Sequence, residues 1–408
     1  MQMKVLRTYA LLLLFALVFA SGVQAATPGR QDAPQTRIYF DNYSTHQVVT
    51  DDGIGLNMLE LLGSDGKPMT DAPPVILVHG FTQNWNTWYD VGDKLRRQGF
   101  RVFIPNWRGH GQGATKSLGV TGDRSVNDPR LTFDNLPAFD VPAILNFVSR
   151  LTNHKKILYM AHSMGAMMMH LALGGVMRGP NGQMMISIER QQEIASKLKA
   201  FISIGAPLDF ADAKGLNDFA LESILSMTGI KLDQSTPSLL STKTEIPFLN
   251  MMNQAREDYL FHMEQTVGLM SGLLNLRNLN RLAYGIQKEY LGSDVPRPFQ
   301  NSVKFNRTGY ASADGQIDYA KISLGTAENH EHAQIVPTLL VSADKDVLAP
   351  LEDQVLGAKN KNLPHLIYKN TGHIDLVIGH NVDNLVANTM HFSKIVQPEC
   401  RDLFSQNY

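Results

Sequence analysis

The chain has 408 residues, of which 43% are hydrophobic and 18% charged, enough to bury a large core in one α/β domain with insertions or in two domains. Its 37 Lys and Arg nearly cancel its 38 Asp and Glu, and no long block of like charge interrupts it, so no nucleic-acid partner is expected. The single cysteine, Cys400, cannot make an internal disulfide, which leaves stability to packing.

Lys4 and Arg7 precede an uncharged apolar stretch from Tyr9 to Ala20, and Val23-Gln24-Ala25 follows with small residues where a signal peptidase reads. This predicts a secretory signal peptide over residues 1–25 and export to a periplasm or the extracellular space. The rival, an uncleaved anchor helix, is disfavoured because the apolar run is short for a bilayer.

Beyond it, His46-Gln47-Val48-Val49-Thr50, the turn Asp51-Asp52-Gly53 and the stretch Leu56 to Leu62 predict an antiparallel hairpin. Near-continuous apolar runs then alternate with helical patterns: Val75 to Val78, Arg101 to Ile104, Ile157 to Met160, Ala200 to Ile204, Thr338 to Val341 and His365 to Tyr368. Strands of this kind with helices between them mean a doubly wound, mostly parallel α/β sheet covered on both faces. The first of them runs into His79-Gly80-Phe81-Thr82, where the glycine permits a turn that presents the amide of Phe81.

Ile157 to Met160 leads into Ala161-His162-Ser163-Met164-Gly165 and then Ala166 to Leu173, which reads as strand, sharp turn and helix with a serine at the turn. Small residues belong there because the strained turn brings strand and helix together and leaves the Ser163 hydroxyl above the sheet. Ala161 stands where G-x-S-x-G has its first glycine. Met164 follows the serine at a helix start, so its amide and that of Phe81 are the two donors expected to form an oxyanion hole.

From roughly Pro207 to Gln334 the alternation fails. A helical pattern from Tyr259 through Ile286 places Leu260, Met263, Val267, Met270, Leu274 and Leu282 on one apolar face. The span is too long for a simple connection. It predicts a large, mainly helical cap or lid over 207–334, inserted into a core of 26–206 and 335–408. Any one of its helices fits equally well as an amphipathic helix on the main core. His330 and His332 lack the spacing of a metal-ligand motif, and no metal is expected.

A serine hydroxyl is a weak nucleophile and needs a base within hydrogen-bond reach, itself oriented by a third group. After an elbow serine the acid and then the histidine follow in chain order. The strand ending at Val341 runs into a loop with two aspartates, Asp344 and Asp346, and a short carboxylate satisfies turn amides readily, which suits Asp344. The strand ending at Tyr368 runs into Lys369-Asn370-Thr371-Gly372-His373, so His373 is the expected base. His365 starts that strand instead of following it, and His380 lies further along.

These residues resemble the α/β-hydrolase superfamily over most of the mature chain outside the insertion. Segments resemble the acid lipases of the gastric and lysosomal type: Gly99 to Gly109, Thr132-Phe133-Asp134, Phe139-Asp140-Val141-Pro142-Ala143-Ile144 and Gly372-His373-Ile374-Asp375. The acid loop of that fold resembles Gly-x-x-Asp-x-x-x-Pro, and counting back from Pro350 selects Asp346, with Ala343 in the glycine's place. Asp140 ahead of Pro142 reads locally as a helix N-cap.

The resemblance and the constellation imply a serine hydrolase that cleaves carboxylic esters through an acyl-enzyme: Ser163 as nucleophile, His373 as base and Asp346 as its orienter, with no cofactor. An apolar, methionine-containing insertion suits a long acyl chain. Lipid esters are therefore the expected substrate, with transient contact to a lipid surface. The alternatives are a small-ester, thioester or amide hydrolase and, from a different class, a non-catalytic lipid-binding protein on the same scaffold.

Overall fold

A computed structural model describes residues 40–81, 83–111, 113–209, 304–306, 309–326, 336–346 and 348–396. The expected signal peptide, the helical pattern from Tyr259 to Ile286, His330, His332 and Cys400 lie outside these residues.

The expected hairpin is β1 (Tyr43–Val49) and β2 (Ile54–Leu61), antiparallel with Val48 opposite Leu56. The apolar runs are β3 (Pro74–Val78), β4 (Arg101–Pro105), β5 (Ile157–His162), β6 (Leu198–Ile204), β7 (Thr338–Ala343) and β8 (His365–Tyr368). In the sheet they stand in the order β1-β2-β4-β3-β5-β6-β7-β8. Neighbours from β4 to β8 are parallel, β2 runs antiparallel to β4, and Leu118–Gly119 adds a short pairing to β2.

Helices α1 (Tyr89–Arg97), α2 (Val141–Leu151), α3 (Met164–Leu173), α4 (Ile188–Lys197), α5 (Tyr319–Leu324), α6 (Leu351–Lys361) and α7 (Val382–Ile395) accompany the sheet. Every residue of β3, β4, β5 and β7 is buried, which is why the centres of these strands read as apolar runs without alternation. The pleat divides them between two cores. Val75, Leu77, Leu158 and Met160 pack with Val91 and Leu95 of α1 and Val382 and Leu385 of α7. Ile76, Val78, Tyr159 and Ala161 pack on the other side with α2 and the methionines of α3. A helix buried all round, as α3 is, carries no polar face and reads as Met-Gly-Ala-Met-Met-Met.

Asp140 stands at the N-cap position of α2 with Pro142 in the first turn, as the local pattern suggests, but its side chain does not cap the helix. Its backbone is already helical (φ −70°, ψ −49°). Its carboxylate instead accepts Arg108 Nε at 2.8 Å, Nη2 at 2.5 Å and the Arg108 amide at 3.1 Å. Arg108 is fully buried and also donates to Asp52 Oδ2 at 2.8 Å and the Arg130 carbonyl at 2.6 Å. A buried guanidinium demands a counter-charge, and that demand outweighs a cap worth about 1 kcal/mol. Burial still pushes the Asp140 carboxyl up to about 6 against the pull of Arg108.

Of the expected cap, residues 309–326 lie directly on this core. Tyr319, Ala320, Ile322 and Leu324 are buried in the same apolar cluster as α3. Asp134 holds the segment by accepting the Tyr319 hydroxyl and the Ala313 amide, each at 2.9 Å.

Candidate active site

β5 ends in a turn where Ser163 takes φ 53° and ψ −126°. A non-glycine residue there stores about 1–3 kcal/mol of strain and persists only if its surroundings hold it. The Ser163 amide donates to the Ile204 carbonyl at 2.8 Å, and its own carbonyl accepts the Ala166 amide at 2.9 Å. Gly165 is required by the neighbouring strand: a Cβ there would lie 2.7 Å from the His79 carbonyl oxygen and 2.9 Å from that of Val78. The start of α3 therefore lies on the end of β3.

Loops after β7 and β8 bring the other two side chains to the serine. His373 Nε2 lies 2.8 Å from Ser163 Oγ, and His373 Nδ1 lies 2.7 Å from Asp346 Oδ2. All three side chains are almost wholly buried. With Asp346 ionised, Nδ1 carries the proton, and Nε2 is left to accept from the serine hydroxyl. The second Asp346 oxygen accepts the Leu348 and Ala349 amides at 2.9 and 2.8 Å, which fixes the carboxylate's rotation.

Asp344 is not brought to His373. Its Oδ1 accepts the Thr371 amide at 3.3 Å, and the Lys345 amide donates to the Thr371 carbonyl at 3.1 Å, so this turn ties the acid loop to the base loop. His365 is hydrogen-bonded to the Ser342 hydroxyl at 2.8 Å, and His380 is exposed.

On the opposite side of the serine stands the turn after β3. A Cβ on Gly80 would lie 2.8 Å from Ser163 Cβ, so Phe81 and Met164 flank the nucleophile from two chain segments. The turn is braced from below: His79 Nδ1–H donates to the Gly80 carbonyl at 2.8 Å, His79 Nε2 accepts the Trp107 amide at 3.3 Å, and Trp107 Nε1–H donates to the His79 carbonyl at 2.9 Å. Burial, aided by the nearby His110, holds His79 well below the usual histidine range. Burial also pushes His110 down to about 4. The turn thus rests on neutral rings at neutral pH.

Three residues at the site escaped the sequence reading. Gly205 takes φ 53° with its Cα hydrogens toward the triad, where a Cβ would stand 3.4 Å from Asp346 Oδ2 and 3.5 Å from His373 Cε1. Gln83 Oε1 accepts the Gly80 amide at 2.7 Å, and His162 lies fully buried beneath His373. For His162 and Gln83 the sequence signal is proximity to the two turns, since His162 precedes the serine and Gln83 follows the His-Gly pair, whereas Gly205 has only its place at a strand end.

Residues 73–180, from β3 past the nucleophile turn and α3, match the family model described as alpha/beta hydrolase fold. With this strand order and a serine on the strained turn after β5, the chain has the α/β-hydrolase fold. Among curated proteins it is similar to gastric triacylglycerol lipase of Bos taurus, 23% identical over 362 residues that cover 84% of this chain and 85% of that protein. It is also similar to lipase member M of Homo sapiens, 25% identical over 216 residues, 48% of this chain and 47% of that protein. The chain spans about half the length of lipase member M. A solved thermophilic esterase from Thermogutta terrifontis superposes with a TM-score of 0.49 at 17% identity, covering 86% of this chain and 99% of that one. Among curated proteins the chain's resemblance is to lipases.

Proposed function

We propose that this chain is an exported serine hydrolase that cleaves carboxylic esters, lipid esters foremost, through an acyl-enzyme. The observation that carries the reading is the unbroken path from Ser163 Oγ through both ring nitrogens of His373 to Asp346. Ser163 attacks the ester carbonyl as His373 Nε2 takes its proton. The amides of Phe81 and Met164 receive the oxyanion, the second helped by the dipole of α3. His373 then protonates the departing alcohol, and a water activated in the same way releases the acid and frees Ser163. Asp346 keeps the imidazole in the accepting tautomer and stabilises the imidazolium. The similarity to gastric triacylglycerol lipase and the methionine-containing stretch between β6 and β7 support a long-chain acyl substrate.

The test is covalent labelling by a fluorophosphonate, followed by a panel of chromogenic esters of increasing acyl length. Wild-type protein should be labelled and Ser163→Ala should not; an unlabelled wild type would end the hydrolase reading. Activity that collapses beyond short acyl chains would remove lipid esters as substrate and leave the chemistry intact. N-terminal sequencing of the exported protein should begin at Ala26.

A further inference from the structure

His162 sits directly before the nucleophile and is completely buried. Its Nε2 lies 2.9 Å from the backbone carbonyl oxygen of His373, and the two rings are 4.7 Å apart at 44°. Its Nδ1 lies 3.2 Å from Gln83 Oε1. Both ring nitrogens therefore face oxygens, whereas a neutral imidazole carries one N–H. The one N–H serves the shorter of the two contacts, 2.9 Å against 3.2 Å: Nε2–H donates to the His373 carbonyl. Burial and the adjacent His373 hold His162 well below the usual histidine range, so the ring stays neutral.

We infer that His162 is a positioning residue for the base, clamping His373 by its backbone while the next residue, Ser163, meets its ring. Two consecutive residues at the end of β5 thus hold both ends of His373, across 211 and 210 positions of sequence. Backbone and nucleophile then move as one unit, and the Oγ to Nε2 distance no longer depends on the stiffness of the loop after β8. A neutral ring in this place also adds no like charge when His373 becomes imidazolium during attack. The inference rests on the serine-hydrolase reading of the same site, and it adds a residue that touches neither substrate nor the reacting atoms.

The experiment compares fluorophosphonate labelling kinetics of wild type, His162→Phe and His162→Gln, with circular dichroism to establish folding. Phenylalanine keeps a ring but donates nothing, so its maximal labelling rate should fall about 10- to 100-fold while the inhibitor's half-saturation stays unchanged, as expected for a misplaced catalytic group. Glutamine can carry an N–H to the place of Nε2 and should recover most of that rate. Equal rates for wild type and His162→Phe, or no recovery with glutamine, would overturn the clamp. Nitrogen NMR of ¹⁵N-histidine-labelled wild type tests it independently of any variant: His162 should show a protonated Nε2, a bare Nδ1 and no titration between pH 5 and 8. The opposite tautomer or an imidazolium signal would overturn it equally. An unlabelled wild type would instead sink the hydrolase reading, while the NMR result would still judge the clamp.

Discussion

Asparagine in place of Asp346 is the most informative single change at this site. One Asp346 oxygen accepts two backbone amides, Leu348 and Ala349 at 2.9 and 2.8 Å, and the other accepts His373 Nδ1–H at 2.7 Å. Asparagine has only one acceptor oxygen. Two amide donors claim it, so the NH2 group must turn toward His373. The imidazole then accepts at Nδ1, carries its proton on Nε2 and can no longer accept the Ser163 proton. Loss of the useful tautomer costs about 10⁴-fold in kcat in a triad of this geometry, or about 5 kcal/mol of barrier. The side chain keeps its shape and both backbone bonds, so stability should move by less than about 1 kcal/mol. At Asp344 the same substitution leaves an oxygen for the Thr371 amide at 3.3 Å, and activity should be nearly unchanged. The assay is kcat on a chromogenic short-chain ester for both variants, with thermal melts alongside. A folded, fully active Asp346→Asn beside an inactive Asp344→Asn would refute the reasoning.

Other perturbations test the surroundings of the triad. Ser163→Gly and Ser163→Ala should both abolish turnover, but glycine accepts φ 53° without strain and should melt higher, by about 1 kcal/mol of stability; equal melting would mean that the turn stores no strain. Gly165→Ala drives a methyl against the carbonyl oxygens of Val78 and His79 at the end of β3 and should cost about 1–3 kcal/mol together with activity, read as a lowered Tm and a lower kcat. Acid should destabilise the fold. His110 at about 4, with His79 and His162 also held low chiefly by burial, bind fewer protons folded than unfolded, so their contribution is complete above pH 6.5 and is lost as pH falls. His110 alone accounts for about 3 kcal/mol between pH 7 and pH 4, while Asp140, raised to about 6, works in the opposite sense between about 4 and 6 and offsets roughly one histidine. A Tm that is flat or rises from pH 7.5 to pH 4.5 would contradict this.

The strands, their order along the chain and the nucleophile turn were legible without coordinates because each is written in adjacent residues. Burial on both faces makes β3 and the central residues of β4, β5 and β7 apolar, and the close approach of β3 to α3 admits no side chain at Gly165. The loop positions of His373 and of the aspartate pair were legible for the same reason, since each follows a strand end. Which aspartate faces the base was a matter of which carboxylate the Leu348 and Ala349 amides orient toward the loop after β8. The role of Asp140 depended on Arg108, 32 positions away, and local pattern suggested a cap that the buried guanidinium overrides. No role for His162 was legible in the serine motif, because its partner, the His373 carbonyl 2.9 Å from its ring, lies 211 positions away. Sequence alone determined what depends on local burial and backbone strain, whereas tertiary structure alone decided where each buried donor and charge found its partner, because those partners are brought together only when the strands assemble into the sheet.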